Sequence, residues 1–407
     1  MSDRNETKSP RKPVTDWATD LDHMDPRWTA DPYPIWSELR QSCPIAHSER
    51  YGGVHLPTRY DDVREIASDP ARFSSKRPVV RANPPKVRLP SPPISSDPPH
   101  HGPARQLLLP VFAPKAIDKL VPRTREICTE LLDAIGDCET CDAAVNFAQH
   151  VPPRVIAMML GVPEKDGDLF RHWIHVFLEE TIADEEGGAD RLVAVSREMD
   201  DYFRPFAEAR RREPRDDLIS HLVHAEMNGK PLTDNHFYGT LRLLLIAGID
   251  TTWSAIGSSL LHLASVEQDR RRLAAEPALI PTAVEEFLRA YAPVTMARQV
   301  VADTSVSGCP MKAGEMILLA FPAANRDPAL FPNPDEVIID RKENRHATFG
   351  LGIHRCLGSN LARMELRTAI ELWMARFPEF SLVPGGTVEW SKGAVRGPRT
   401  VPVRIHR

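Results

Sequence analysis

The 407-residue sequence has no long apolar run: its longest candidate, around Leu241 to Ile249, is bounded by Arg242 and Asp250 and falls short of the roughly 20 residues that a membrane-spanning helix needs. Nor does an apolar segment follow the polar, charged opening from Met1 to Pro13, so neither a signal peptide nor a membrane anchor is expected, and a cytoplasmic place follows. A surplus of positive charge is missing too. The formal net charge is −5, which leaves no basic footprint for nucleic acid. Cysteine is scarce: six in a chain of this length do not make a disulfide framework, and Cys138-Glu139-Thr140-Cys141 stands alone in an acidic setting, with no second pair to complete a zinc site. Internal repeats, flavin or glycine-rich nucleotide signatures and a four-cysteine iron–sulfur pattern are all absent.

What is present suffices for a sizeable core, since 42% of the residues are hydrophobic. Length alone would allow two or three domains or one large helical enzyme, and the lack of any linker favours one. Residues 1 to about 20 read as a flexible tail and 21–407 as a single domain. Gly53 to Leu56 followed by Thr58 to Val63 reads as strand, turn and helix. From Pro78 to Pro114 there are eleven prolines, so that stretch should be a loop with one short helix. The middle, about Ile117 to Arg212, is helix-dominated. Asn228-Gly229-Lys230-Pro231 signals a turn, after which Thr233 or Asp234 can cap a buried central helix running to about Ala264. A helix from Ile280 to Ala290, strands at Arg298 to Ala302 and Met316 to Ala320, coil from Asn325 to Asp340 and a final strand between Arg396 and Ile405 complete the pass.

The stretch on which everything turns is Phe349-Gly350-Leu351-Gly352-Ile353-His354-Arg355-Cys356-Leu357-Gly358, just before a segment of helical periodicity. Its glycines permit positive φ and close approach to a flat ligand. The N-terminus of the next helix turns free N–H groups towards the sulfur, and these with the helix dipole favour thiolate, the form that binds iron. A buried small hydrophobe beside turn glycines would explain a lone Gly-x-Gly and Cys, but not the full Phe-Gly-x-Gly-x-His-x-Cys-x-Gly. The pattern resembles the haem-binding loop of the cytochrome P450 superfamily, the haem-thiolate monooxygenases.

That resemblance covers roughly Asp31 to Ile405 and implies a mainly α fold with a smaller β-rich region, triangular, with a long central helix over one haem b. Cys356 would be the axial metal ligand, with Phe349, Gly350 and Gly358 shaping its loop. Ala247-Gly248-Ile249-Asp250-Thr251-Thr252 matches the oxygen-activation motif: an acid and hydroxyls in a buried helix are costly unless satisfied, and threonine can bond back to the preceding turn. The family likeness implies that Thr251 hydrogen-bonds bound dioxygen or its water and that Asp250 relays protons. His101 and Arg105, following the helix-start signal Asp97-Pro98-Pro99, match the residues that hold one haem propionate, and Arg298 and His354 those that hold the other. Glu286 and Arg289, which alone would read as a solvated surface pair, match a buried ion pair joined by an arginine from the coil, here Arg341, in a structural role. His100 replaces the usual acid before His101.

The implied reaction is insertion of one oxygen atom of O2 into a C–H bond of a small hydrophobic substrate, by hydroxylation or oxidative dealkylation. Electrons would come from NAD(P)H through a separate ferredoxin and its reductase, docked where Arg355, Arg363 and Arg367 present positive charge. A monomer is expected. Two other functions share the cysteine: a peroxide-driven peroxygenase, and a non-catalytic haem sensor or carrier. Asp250-Thr251 argues against both. Finally, no acidic residue lies between Pro70 and Ser96, whereas Arg72, Lys76, Arg77, Arg81, Lys86 and Arg88 do. In this family that loop lines the substrate pocket, so a carboxylate-bearing substrate is expected.

Overall fold

The computed structural model of the protein describes residues 12–87, 89–183 and 187–406. The fold is mainly α with small sheets, organised about a helix, Asp234–Ser265, whose 32 residues span about 48 Å at 1.5 Å per residue. Thr233 caps this helix, its hydroxyl accepting from the His236 N–H at 3.3 Å. The preceding turn is a hairpin between Glu226–Met227 and Lys230–Pro231, with Asn228 and Gly229 at φ 56° and 72°. The helix has the length and apolarity of a membrane span, yet 67% of its most apolar window is buried inside the protein, so it is a core helix. Helices Val151–Leu160 and Ser359–Arg376 pack on it, and Val121–Ile135 packs on the latter.

The β-rich part is a five-stranded sheet in the order Ile45–Ser48, Val54–Pro57, Met316–Ala320, Thr295–Val300, Phe73–Ser74. Only the contact between Val54–Pro57 and Met316–Ala320 is parallel. A second sheet pairs Pro402–Ile405 with both Phe380–Leu382 and Thr140–Asp142. Cys141 therefore sits in a strand, where burial pushes its thiol up to about 12 and makes it unreactive.

Several elements depart from the sequence reading. The chain is held from residue 12, not from about 20: Arg50 donates to the Lys12 carbonyl at 2.9 Å, Val14 is buried, and the Val14 N–H meets Asp25 at 3.2 Å. Polar side chains do this anchoring, so no hydrophobic period announced it. The tail expected over 1–11 lies outside the described residues. After Asp97-Pro98-Pro99 the helix begins only at His101. Asp97 instead takes the Ser74 hydroxyl at 2.6 Å and the Ser75 N–H at 2.8 Å. The strand expected from Arg298 is Thr295–Val300, and the C-terminal one is only Pro402–Ile405, because Trp390 to Thr400 folds back on itself through the Trp390–Pro398 bridge.

Candidate active site

A cavity of about 680 Å³ lies between the central helix and the cysteine loop. Gly350 and Gly352 take φ 71° and 68°, and a Cβ on Gly352 would stand 2.4 Å from the Ala67 carbonyl oxygen, so the loop needs glycine there. The turn brings the Cys356 N–H onto the Phe349 carbonyl at 2.7 Å, while Arg363 stacks on the Phe349 ring at 4.4 Å. Phe349, Gly350, Cys356 and Gly358 all line the cavity. The exposure of Cys356 is exposure to that cavity; protein encloses it otherwise. Burial pushes its thiol up, while the Gly358 N–H and the charges of Arg105, Arg355 and Arg363 pull the other way. The helix-end donors expected to favour thiolate are there, and in the protein alone desolvation outweighs them. A bound cation reverses that balance, since a coordinating thiol is deprotonated outright.

Four basic side chains gather beside the loop. The His101 and His354 rings meet edge to face at 4.4 Å, and Nε2 of each is buried with no hydrogen-bond partner among the described residues. Burial, with Arg298, His101 and Arg105 adding, holds His354 down at about 3. Burial also lowers Arg298 to about 10; its one recorded side-chain hydrogen bond goes to the Ala297 carbonyl at 2.8 Å. Arg105 is lowered by burial and by Arg355. Cations and orphaned ring nitrogens in such proximity are unfavourable without an anion. Two carboxylates at one edge of a flat, metal-bearing group would answer that need, and haem is such a group.

On the central helix, Ala247, Gly248 and Thr251 line the cavity, and the Thr251 hydroxyl donates to the Ala247 carbonyl at 2.7 Å. The lack of bulk at Gly248 serves helix packing: a Cβ there would lie 2.7 Å from Ile156 Cδ1. Asp250 is buried and faces the opposite way, into Arg399, whose Nη2 lies 2.8 Å from its Oδ1 and 2.7 Å from Glu179 Oε1. One guanidinium shared by two carboxylates is itself raised, yet burial still leaves the Asp250 carboxyl raised. Glu179 continues to His175, which is half-exposed, at 3.5 Å.

Glu286 and Arg289 are fully buried, not a surface pair. Arg289 grips both Glu286 oxygens at 2.8 Å, and Arg341 Nε approaches them at 3.0 and 3.1 Å. The Ile338 N–H at 2.8 Å and the Asn344 amide at 3.1 Å complete the carboxylate's shell. Arg289 also donates to the carbonyls of Asn325, Pro334 and Glu336, which ties the coil to the helix Ile280–Ala290.

Of the basic side chains expected at the surface, Arg363 is bound twice to Glu285, at 2.7 and 2.8 Å, and Arg367 lies 3.7 Å from the same carboxylate. Arg355 is exposed. In the proline-rich loop Arg72 is taken up by Asp69 and Glu65, and Arg88 lies outside the described residues. Lys76, Arg77, Arg81 and Lys86 line the cavity. Arg81 donates to Thr181 Oγ1 at 2.8 Å and to the Phe177 carbonyl at 3.3 Å; burial lowers it to about 10, and no carboxylate among the described residues pairs with it.

Sequence reasoning missed Arg399, Glu179 and Glu365. Arg399 had a signal in Gly397-Pro398: a Cβ on Gly397 would stand 2.2 Å from Ser254, so this glycine lets the C-terminal segment touch the central helix. Glu365 had none, being one acid in a helical period; it is fully buried, and neither carboxyl oxygen has a partner among the described residues.

Residues 186–394 match the family model described as cytochrome P450. The chain is 34% identical to the polyketide biosynthesis cytochrome P450 PksS of Bacillus subtilis (strain 168), over 93% of this chain and 96% of that one. It is 35% identical to the mycinamicin IV hydroxylase/epoxidase of Micromonospora griseorubida, over 90% and 94%. Among solved structures, the myxobacterial cytochrome P450 CYP267B1 in complex with myristic acid superposes with a TM-score of 0.85 at 35% identity, covering 94% of this chain and 98% of that chain.

Proposed function

The chain belongs to the cytochrome P450 family of haem-thiolate monooxygenases, and on that premise we propose that it is a single haem domain holding haem b through Cys356. The proposed reaction inserts one oxygen atom of O2 into a C–H bond of a small organic substrate, the other atom leaving as water after uptake of two electrons and two protons. Haem, when bound through a thiolate, supplies the O2 reduction and O–O cleavage.

The chain's own residues do the rest. Cys356 ligates, and the His101, Arg105, Arg298 and His354 cluster answers the two carboxylates of the group. Ala247 and Gly248 form the facing wall, with Phe349, Gly350 and Gly358 shaping the loop side. Thr251, bonded to the Ala247 carbonyl at 2.7 Å, has one hydroxyl that can turn into the cavity to hold a water or pass a proton. Asp250 takes that proton from the side of Glu179 and half-exposed His175, while Arg399, permanently charged, orients both carboxylates and does not itself carry the proton. Glu286, Arg289 and Arg341 hold the coil that carries the cysteine loop. Electrons arrive from NAD(P)H through a separate ferredoxin-type donor and its reductase, with exposed Arg355 as the docking charge. The setting is cytoplasmic and the enzyme monomeric, with neither nucleic acid nor membrane as partner.

For the substrate, Arg81 supports a carboxylate: it is a half-buried cation on the cavity wall whose hydrogen-bond partners among the described residues are neutral oxygens. The relative bound to myristic acid is consistent with acids in such a pocket.

The observation that carries the reading is Cys356 and Thr251 on one cavity, with Asp250 next in the chain paired to Arg399. The ferrous–CO complex should absorb in the strongly red-shifted band of thiolate ligation, and Cys356→Ser should lose it. Retention of that band by the variant would falsify the assignment.

A further inference from the structure

His47, His55 and Glu315 lie on three neighbouring chain segments of the five-stranded sheet, and none of them lines the cavity. His47 and His55 are direct partners in the antiparallel pair Ile45–Ser48 with Val54–Pro57. The His47 N–H leaves the ladder for the Ala18 carbonyl at 2.9 Å, which makes this a pair of the closer, non-hydrogen-bonded type; the rings stand 4.5 Å apart. Glu315 just precedes Met316–Ala320, whose Ile317 is the register partner of His55. Two residues before Ile317, Glu315 falls on the same side of the sheet by strand alternation.

One donor atom from each residue falls within 4.8 Å of the other two. His55 Nε2 is 2.8 Å from Glu315 Oε2, and His47 Nε2 is 3.4 Å from Glu315 Oε1. Tetrahedral ligands about 2.0–2.1 Å from a Zn2+ ion are themselves about 3.3 Å apart, so only small adjustments are needed to place all three on one ion.

The surroundings prepare the donors. Burial holds the His55 imidazole below its usual range, hence neutral. Against the burial that would raise it, the Glu315 carboxyl is held down by the His55 hydrogen bond and by the Lys312 N–H, 2.7 Å from Oε2. A neutral imidazole and an ionised carboxylate are the forms that ligate metals. Gly53 makes the room: a Cβ there would come within 2.9 Å of Glu315 Cγ. His55 is enclosed, while the His47 side chain is a third exposed with its Nε2 turned inward and buried.

We propose that His47, His55 and Glu315 bind one divalent transition-metal ion of the Zn2+ type, a second metal site apart from the haem that clamps the first hairpin to the strand Met316–Ala320. Two imidazoles and one carboxylate suit zinc, with water in the fourth position.

The test uses haem-loaded enzyme, freed of adventitious metal with a chelator and dialysed against Zn2+, with zinc and iron counted by elemental analysis. The expected result is one zinc per iron and an unfolding midpoint that rises with zinc concentration. Outer-shell changes alone weaken metal binding roughly 10–100-fold, so His47→Ala and Glu315→Gln should each weaken it by about a hundredfold or more, while the ferrous–CO band stays unchanged. His47→Gln, at a partly exposed position, guards against a folding defect. Failure of the wild type to bind one zinc, or equal binding by the variants, overturns the site and leaves the monooxygenase reading untouched.

Discussion

Asp250 and Arg399 form an ion pair at 2.8 Å inside the protein, joining the middle of the central helix to the C-terminal segment 149 residues later. The pair settles which way the acid of the stretch Ala247 to Thr252 faces. Its neighbour Thr251 opens onto the cavity, whereas Asp250 turns away towards Glu179 and His175. A proton relay needs that division, with one group at the reacting end and one at the supply.

Asp250→Asn removes the titrating group and should lower product formation by about 10²-fold, the lower range for general acid–base groups. Arg399→Gln keeps the carboxyl and removes the guanidinium that lowers its pKa, against burial that raises it. The carboxyl then holds its proton to higher pH, so the alkaline limb of the rate profile, where a proton donor is lost, should move to higher pH. Thr251→Ala should act differently, leaving NADH consumption intact while product per NADH falls and peroxide rises. A wild-type pH profile in Arg399→Gln, or unchanged coupling in Thr251→Ala, would remove that residue from the relay.

Glu286→Gln leaves two buried guanidinium groups without their shared carboxylate. Breaking such a pair from one side costs roughly 3–5 kcal/mol. Urea unfolding followed by circular dichroism should show a loss of that order, and haem should be released earlier in the titration. A change under about 1 kcal/mol would mean that the surrounding carbonyls hold Arg289 and Arg341 unaided.

Glu365 makes a prediction with a definite sign. Complete burial, with no partner for either carboxyl oxygen among the described residues, raises its carboxyl well above the ordinary value, so folding favours its protonated form over the carboxylate that the unfolded chain carries at neutral pH. Below the unfolded pKa both states hold the proton and burial of the charge costs nothing. As pH rises past that value towards the folded pKa, the unfolded state is favoured progressively. Glu365→Gln should therefore raise the unfolding midpoint at pH 7–8 and have much less effect near pH 4.5. Equal effects at both pH values would show that Glu365 is ionised in place, with an unseen partner.

How far these features could be read in the sequence depends on whether their cause is local. The loop of Cys356, the hairpin at Asn228-Gly229 and the cap at Thr233 follow from backbone demands of neighbouring residues, and the helix Ile280–Ala290 from its apolar period. The basic cluster of His101, Arg105, Arg298 and His354 was legible only through the family likeness, because its members are scattered over 254 residues. Arg399 and Glu179 meet Asp250 through tertiary folding alone, and nothing in their own stretches says whether they are solvated or buried. Charge is where local sequence says least: Arg363, expected to face a partner, is bound to Glu285, Arg367 stays exposed 3.7 Å from the same carboxylate, and Arg72, expected in the pocket, is bound to Asp69 and Glu65. The sign of a side chain is written in sequence, but its counter-ion is chosen by the fold.

Arg81 is the exception in that loop and carries the last prediction. Arg81 borders the cavity, and its guanidinium bonds to Thr181 Oγ1 and the Phe177 carbonyl, with burial lowering it to about 10. Neutral oxygens satisfy some of its five donors without balancing its charge, so an incoming carboxylate gains a charge-assisted bond that an ester cannot form. Such a bond is worth roughly 1.5–3 kcal/mol, or about ten- to a hundredfold in affinity. Titrations that follow the haem spin-state shift, run on matched aromatic, terpenoid or fatty acids and their methyl esters, should favour the acids by that factor. In Arg81→Gln the preference should shrink to near unity while ester binding changes little, since the apolar wall of Leu244, Val294 and Val395 remains. Esters that bind the wild type as tightly as the acids would leave Arg81 a structural tie to Thr181. An acid preference that survives in Arg81→Gln would instead move the role to Lys76, Arg77 or Lys86 on the same wall.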